Sequence, residues 1–120
     1  ARFLRGIAPG PTVLIGYSFG CWALTELSTL CEAVAMVCIS PNPVDHDLAP
    51  LVAATAPLLV VSSDNDFSCT PVQLRRWYES LSGPKELYSL VGAEHFFRGR
   101  EEDLVQTVTG FLRARGLIED

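Results

Sequence analysis

Short runs of apolar residues recur along the chain, and the stretches between them repeat their apolar positions every three to four residues. Four runs, at 12–17, 33–39, 58–62 and 86–91, are rich in Val, Leu and Ile and read as strands. They are continuous rather than alternating, as expected when helices cover both faces of a parallel sheet. Between the first two, residues 19–30 place Ala23, Leu24, Leu27 and Cys31 on one helical face. After the third, Thr70-Pro71-Val72-Gln73 combines a capping-box pattern with Pro at the first helical position, and Gly83-Pro84 supplies the stop. The last helix opens on Glu101, Glu102 and Asp103, carries Leu104, Val105, Val108, Phe111 and Leu112 on one stripe, and ends at Arg113, Arg115 and Gly116. The stretch 41–56, with its prolines and an Asp-His-Asp cluster, reads as a loop with one short helix. Strand and helix thus alternate, and the fold class is α/β: a parallel sheet of about four strands flanked by helices.

Length and charge narrow the picture. A chain of 120 residues, 48% hydrophobic, suits a single domain, 1–120, with a real core. Its net charge of -5 offers no field to gather phosphates, so neither nucleic acid nor a membrane surface is an expected partner. Cys21, Cys31, Cys38 and Cys69 form no CxxC pair and no metal-ligand spacing with the two histidines, and buried free thiols suit a reducing, cytoplasmic compartment. No Gly-rich phosphate loop follows a strand, so neither a nucleotide cofactor nor a metal is implied. The chain opens without Met in a helix-like tail, as a piece of a longer protein would.

The candidate chemistry begins where the first strand ends, at Gly16-Tyr17-Ser18-Phe19-Gly20. A serine projected from a sharp strand-to-helix turn needs small residues two places to either side, and Gly16 and Gly20 meet that need. The turn would also aim the Phe19 amide at a reacting carbonyl as one oxyanion donor. Taken alone, the motif also admits a tight turn whose serine caps a helix. The later residues argue for more. A serine hydroxyl needs a base, and the base a carboxylate to fix its tautomer. Ser63-Asp64-Asn65-Asp66 follows the third strand and Gly92-Ala93-Glu94-His95 the fourth, in the order serine, acid, histidine. His95 is the expected base, and the acid is Asp64 or Asp66. His46, in the proline-bounded loop, is expected to be solvated.

These segments resemble those of the α/β-hydrolase superfamily, in particular the C-terminal half of compact bacterial hydrolases related to dienelactone hydrolases. GYSFG, PLLVVSSDNDFSCTP and GAEHFF are similar to that group's nucleophile, acid and base segments, and the match puts the acid on Asp66. The chain departs from the family at Ser62-Ser63, where a glycine usually stands. The resemblance implies a serine hydrolase acting on an ester or thioester of a small acyl compound, with Ser18, Asp66 and His95 as triad and Tyr17, Phe19 and Phe96 as candidate lining. It also implies further strands ahead of the first run, so that this strand would present an apolar edge to a preceding segment or to a second copy of the chain. The competing expectation is a non-catalytic module that binds through that edge.

Overall fold

A computed structural model of the chain describes residues 11–119, and each of the four apolar runs is a strand. The helix-like tail expected at the start lies outside the described residues. In chain order the elements are β1 (Val13–Tyr17), α1 (Phe19–Ser28), β2 (Ala35–Ile39), α2 (Ala49–Val52), β3 (Leu58–Asn65), α3 (Pro71–Glu79), β4 (Lys85–Glu94) and α4 (Glu101–Ala114). The sheet order is β1-β2-β3-β4 and every neighbouring pair is parallel.

The pleat of the central strands divides the core in two. Met36 and Cys38 of β2 and Leu58 and Val60 of β3 face one side, where they pack with Cys21 and Leu24 of α1, Leu51 of α2 and Leu74 of α3. Ala35, Val37 and Ile39, with Leu59 and Val61, face the other side and meet Phe111 and Leu112 of α4. Among the described residues three helices therefore cover one face and α4 the other. The continuous apolar pattern holds where both faces are covered: all of β2 and the first six residues of β3 are buried.

It fails at the edges. Leu14 of β1 is buried but Ile15 is 54% exposed, and β4 is largely exposed, with Tyr88 and Val91 open to solvent. Strands β3 and β4 run further than their apolar runs, because ladder pairing continues past the last hydrophobic residue to Asn65 and Glu94 through a bulge.

The start of α3 is as the sequence implies, but its end is not: the helix stops at Glu79 with Ser80 as C-cap, ahead of Gly83-Pro84. Thr70 caps α3 with its side chain accepting from the Gln73 amide, while Gln73 returns the bond to the Thr70 amide. The α4 stripe needs one correction. Leu104 and Val108 pack on the core beside Phe111 and Leu112, but Val105, about 100° round the helix from Leu104, is exposed. The 41–56 loop holds one short helix, and Leu48 and Leu51 sink into the core.

Candidate functional site

The strand-to-helix turn is strained at its serine. Ser18 has φ 53° and ψ -114°, between the end of β1 and the start of α1, a conformation that costs a non-glycine residue roughly 1–3 kcal/mol. Its amide donates to the Ile39 carbonyl at 2.8 Å, tying the turn to the end of β2. Gly16 is obligatory, since a Cβ there would stand 2.5 Å from the Gly20 carbonyl oxygen. Gly20 is not, because a Cβ at that position meets only open space. The symmetric need for two glycines is thus corrected to one, at the strand side where the first turn of α1 folds back.

Beyond the strand ends the chain brings together the three residues singled out. Ser18 Oγ lies 2.8 Å from His95 Nε2, and His95 Nδ1 lies 2.7 Å from Asp66 Oδ2. The His95 and Asp66 side chains are 4% and 6% exposed. A carboxylate can only accept, so Nδ1 carries the proton and donates it, which leaves the Nε2 lone pair to accept from the Ser18 hydroxyl. The other carboxylate oxygen, Asp66 Oδ1, accepts from the Ser68 amide at 2.8 Å and the Ser68 hydroxyl at 2.6 Å, in an Asx turn that fixes the plane of the group. Asp64 has a different use. Its Oδ1 accepts from the Gly92 amide at 2.8 Å and bridges β3 to β4 at the bulge.

Two hydroxyls hold the backbone of His95. Tyr17 Oη donates to the His95 carbonyl at 2.9 Å and Ser40 Oγ donates to the same oxygen at 2.8 Å. Tyr17, expected to line the site, thus commits its polar end to the histidine, though its ring stays part-exposed. Burial, reinforced by the negative charges of Glu94 and Asp66, pushes its pKa up and keeps the hydroxyl a donor. Ser40 is buried at the end of β2 with φ 50°, as Ser18 ends β1. The sequence reading missed it. A serine one residue past a buried strand carries no signal of its own, and the Tyr17–Ile39 pairing that places it beside Ser18 appears only with the register.

Aromatic side chains surround this group. Phe67 and Phe96 both pack against the His95 ring. Phe19 packs against Trp22, and the Phe19 and His46 rings meet nearly perpendicular with centroids 5.7 Å apart. His46 is therefore half-buried rather than solvated, with Nδ1 enclosed. Its loop is tied down by Asn42, whose side-chain oxygen accepts from the Val44 and Asp45 amides at 3.1 Å. As the first residue of α1, Phe19 contributes one of the amides that a helix N-terminus leaves without an intrahelical acceptor.

No protein-family model and no curated protein matches the chain. Solved structures do. An α/β serine hydrolase homologue from Coxiella burnetii superposes with TM-score 0.84 at 24% identity, covering 92% of this chain and 54% of that one. A putative α/β hydrolase from Agrobacterium tumefaciens gives 0.86 at 23%, covering 99% and 59%. A serine hydrolase without a lid from Xanthomonas campestris gives 0.85 at 24%, covering 99% and 54%. The chain spans a little over half the length of these structures, and what it shares with them is the α/β-hydrolase fold.

Proposed function

We propose that this chain carries the reacting centre of a serine hydrolase that cleaves ester or thioester acyl bonds. The observation that supports this most is the unbroken chain of short contacts from Ser18 through His95 to Asp66, at 2.8 and 2.7 Å. In this reading Ser18 Oγ attacks the acyl carbonyl carbon while His95 Nε2 takes the hydroxyl proton. Asp66 keeps the ring in the right tautomer and stabilises the imidazolium. The tetrahedral oxyanion is met by the Phe19 amide at the positive end of α1. On collapse the bond to the leaving group breaks, His95 delivers its proton to the departing oxygen or sulfur, and the acyl group stays on Ser18 until water, activated by the same histidine, releases it.

The substrate side of the proposal is a small-molecule acyl compound in an open site. The 41–56 loop is spent on anchoring Leu48 and Leu51 in the core and on the Asn42 turn, which leaves little chain to form a lid. The second oxyanion amide of an α/β-hydrolase comes from a loop ahead of the elbow strand. One such donor is worth roughly 100 to 1000-fold in turnover, so full rate requires that amide beside the one of Phe19. The four cysteines are buried and free, which supports a reducing, cytoplasmic setting. Among the described residues no helix is long and apolar enough to cross a membrane.

A fluorophosphonate probe tests the reading directly. Phosphonylation mapped to the Ser18 peptide, and absent in Ser18→Ala, is the expected result. A complete, folded protein that takes up no probe would sink it.

A second reading has its own observation. Among the described residues strand β1 pairs with β2 alone, and Ile15 is exposed. A preceding segment or a second copy could add a strand there. Size-exclusion chromatography discriminates: a clean monomer counts against pairing between copies.

A further inference from the structure

The hydrolase reading leaves the leaving group unspecified, and the side chains around His95 narrow it. When the tetrahedral intermediate collapses, the bond from carbon to the leaving oxygen or sulfur breaks, and that atom takes the proton carried by His95 Nε2. It must therefore come within hydrogen-bond reach of Nε2, and the group attached to it must lie beside the imidazole. Two rings flank the imidazole. The Phe67 centroid is 4.8 Å and the Phe96 centroid 4.9 Å from that of His95. The imidazole they flank is buried, yet Phe67 is 77% and Phe96 47% exposed.

Apolar rings left in water beside the one group that has to meet the leaving group gain free energy when something apolar covers them. Their arrangement suits an aromatic visitor. The two centroids are 6.1 Å apart with planes inclined by 36°, so a third ring can meet both in offset or edge contacts at ordinary aromatic spacing. Charge does not argue against it: the Arg98 guanidinium over Phe96 is accompanied by Glu94 at 4.0 Å, which offsets its field. We infer that Phe67 and Phe96 form a leaving-group subsite for an aromatic alcohol or thiol, an inference that rests on the hydrolase reading above.

The test compares benzyl acetate with ethyl acetate on the complete protein. The two alcohols are leaving groups of similar basicity, so the ratio of kcat/KM reports contact rather than bond strength. A preference for the benzyl ester of about tenfold is expected. That ratio should fall toward unity in Phe67→Ala and Phe96→Ala, with circular dichroism confirming that both variants fold. A ratio near unity in a protein whose Ser18 takes up the fluorophosphonate overturns the subsite and leaves the hydrolase reading standing. So does a preference that follows the acyl side, ethyl phenylacetate over ethyl acetate, and disappears in Phe67→Ala. A folded protein with no probe uptake removes the hydrolase reading itself, and the subsite with it.

Discussion

The Tyr17 hydroxyl donates to the main-chain carbonyl of His95 across 2.9 Å, so the residue just before the elbow serine positions the histidine that faces that serine. Ser40 donates to the same oxygen from the neighbouring strand end. Strands β1 and β2 thus hold both partners of the Ser18–His95 contact, one through the turn and one through the histidine backbone.

Removing that hydroxyl should loosen the histidine without touching substrate. Tyr17→Phe is expected to lower kcat by roughly fivefold to tenfold, the worth of about one net hydrogen bond, with KM little changed. The pH dependence has a definite sign. Tyr17 donates only when protonated, and its pKa is raised by burial and then by Glu94 and Asp66. The bond is therefore fully present below the ordinary tyrosine value and is lost as pH rises through the raised one. The deficit of the variant should stay constant across neutral pH and shrink only in strong alkali. A pH–rate profile in which Tyr17→Phe matches the parent throughout would remove the positioning role.

Much of this arrangement was legible in the residues, for identifiable reasons. Helix signals such as Thr70, Pro71 and Gln73 act over three positions and need nothing distant, so the start of α3 reads directly from its own letters. The Ser18, Asp66, His95 order is legible because a parallel α/β sheet puts successive strand ends on one rim. What could not be read depends on register or on neighbours. Asp64 and Asp66 look alike by spacing, and the resemblance alone favours Asp66; the bulge between β3 and β4 supplies the physical reason, sending Asp64 to Gly92 and Asp66 to His95. Phe67 reads as one more apolar residue, because nothing local says that it lies against His95.

The two aspartates give a clean contrast. Asp66→Asn replaces an acceptor with a group that can turn an amide toward Nδ1 and favour the wrong tautomer, so turnover should drop by about 10⁴-fold with the fold intact. Asp64→Asn should leave turnover within a few-fold and lower stability by about 1 kcal/mol, because it weakens the bridge to the Gly92 amide. Initial rates and chemical denaturation on both variants settle the pair. A large rate loss in Asp64→Asn with an unaffected Asp66→Asn would reverse the assignment.

The glycines of the elbow should behave unequally. Gly16→Ala forces a methyl to within 2.5 Å of a backbone oxygen that has no room to yield, and a cost of about 1–3 kcal/mol or a failure to fold is expected. Gly20→Ala meets open space inside α1 and should be neutral or stabilising by up to about 1 kcal/mol, through better helix propensity. Thermal melts decide it; equal destabilisation by both would mean that the turn is not packed as described.

Cys69, three residues beyond Asp66, contributes to the alkaline dependence of stability. Burial first, and the Asp66 charge second, push its thiol from the ordinary value of 9.0 up to about 11. At neutral pH it is therefore an uncharged thiol and adds no second negative charge beside the carboxylate that serves His95. A pKa raised by folding means that the native state holds the proton more tightly than the unfolded chain. The stability this contributes is fully present below pH 9.0 and is lost as pH rises through about 11. Cys38, Tyr17 and Tyr78, whose pKa values are also raised, add losses of the same sign, so the informative quantity is the difference between the parent and Cys69→Ala. Denaturation midpoints should decline more steeply for the parent than for the variant between these pH values. Iodoacetamide at pH 8 should leave Cys69 unmodified in the folded protein and alkylate it readily once unfolded. Rapid alkylation of the native protein at that pH would show a thiolate beside Asp66 and overturn both halves of the prediction.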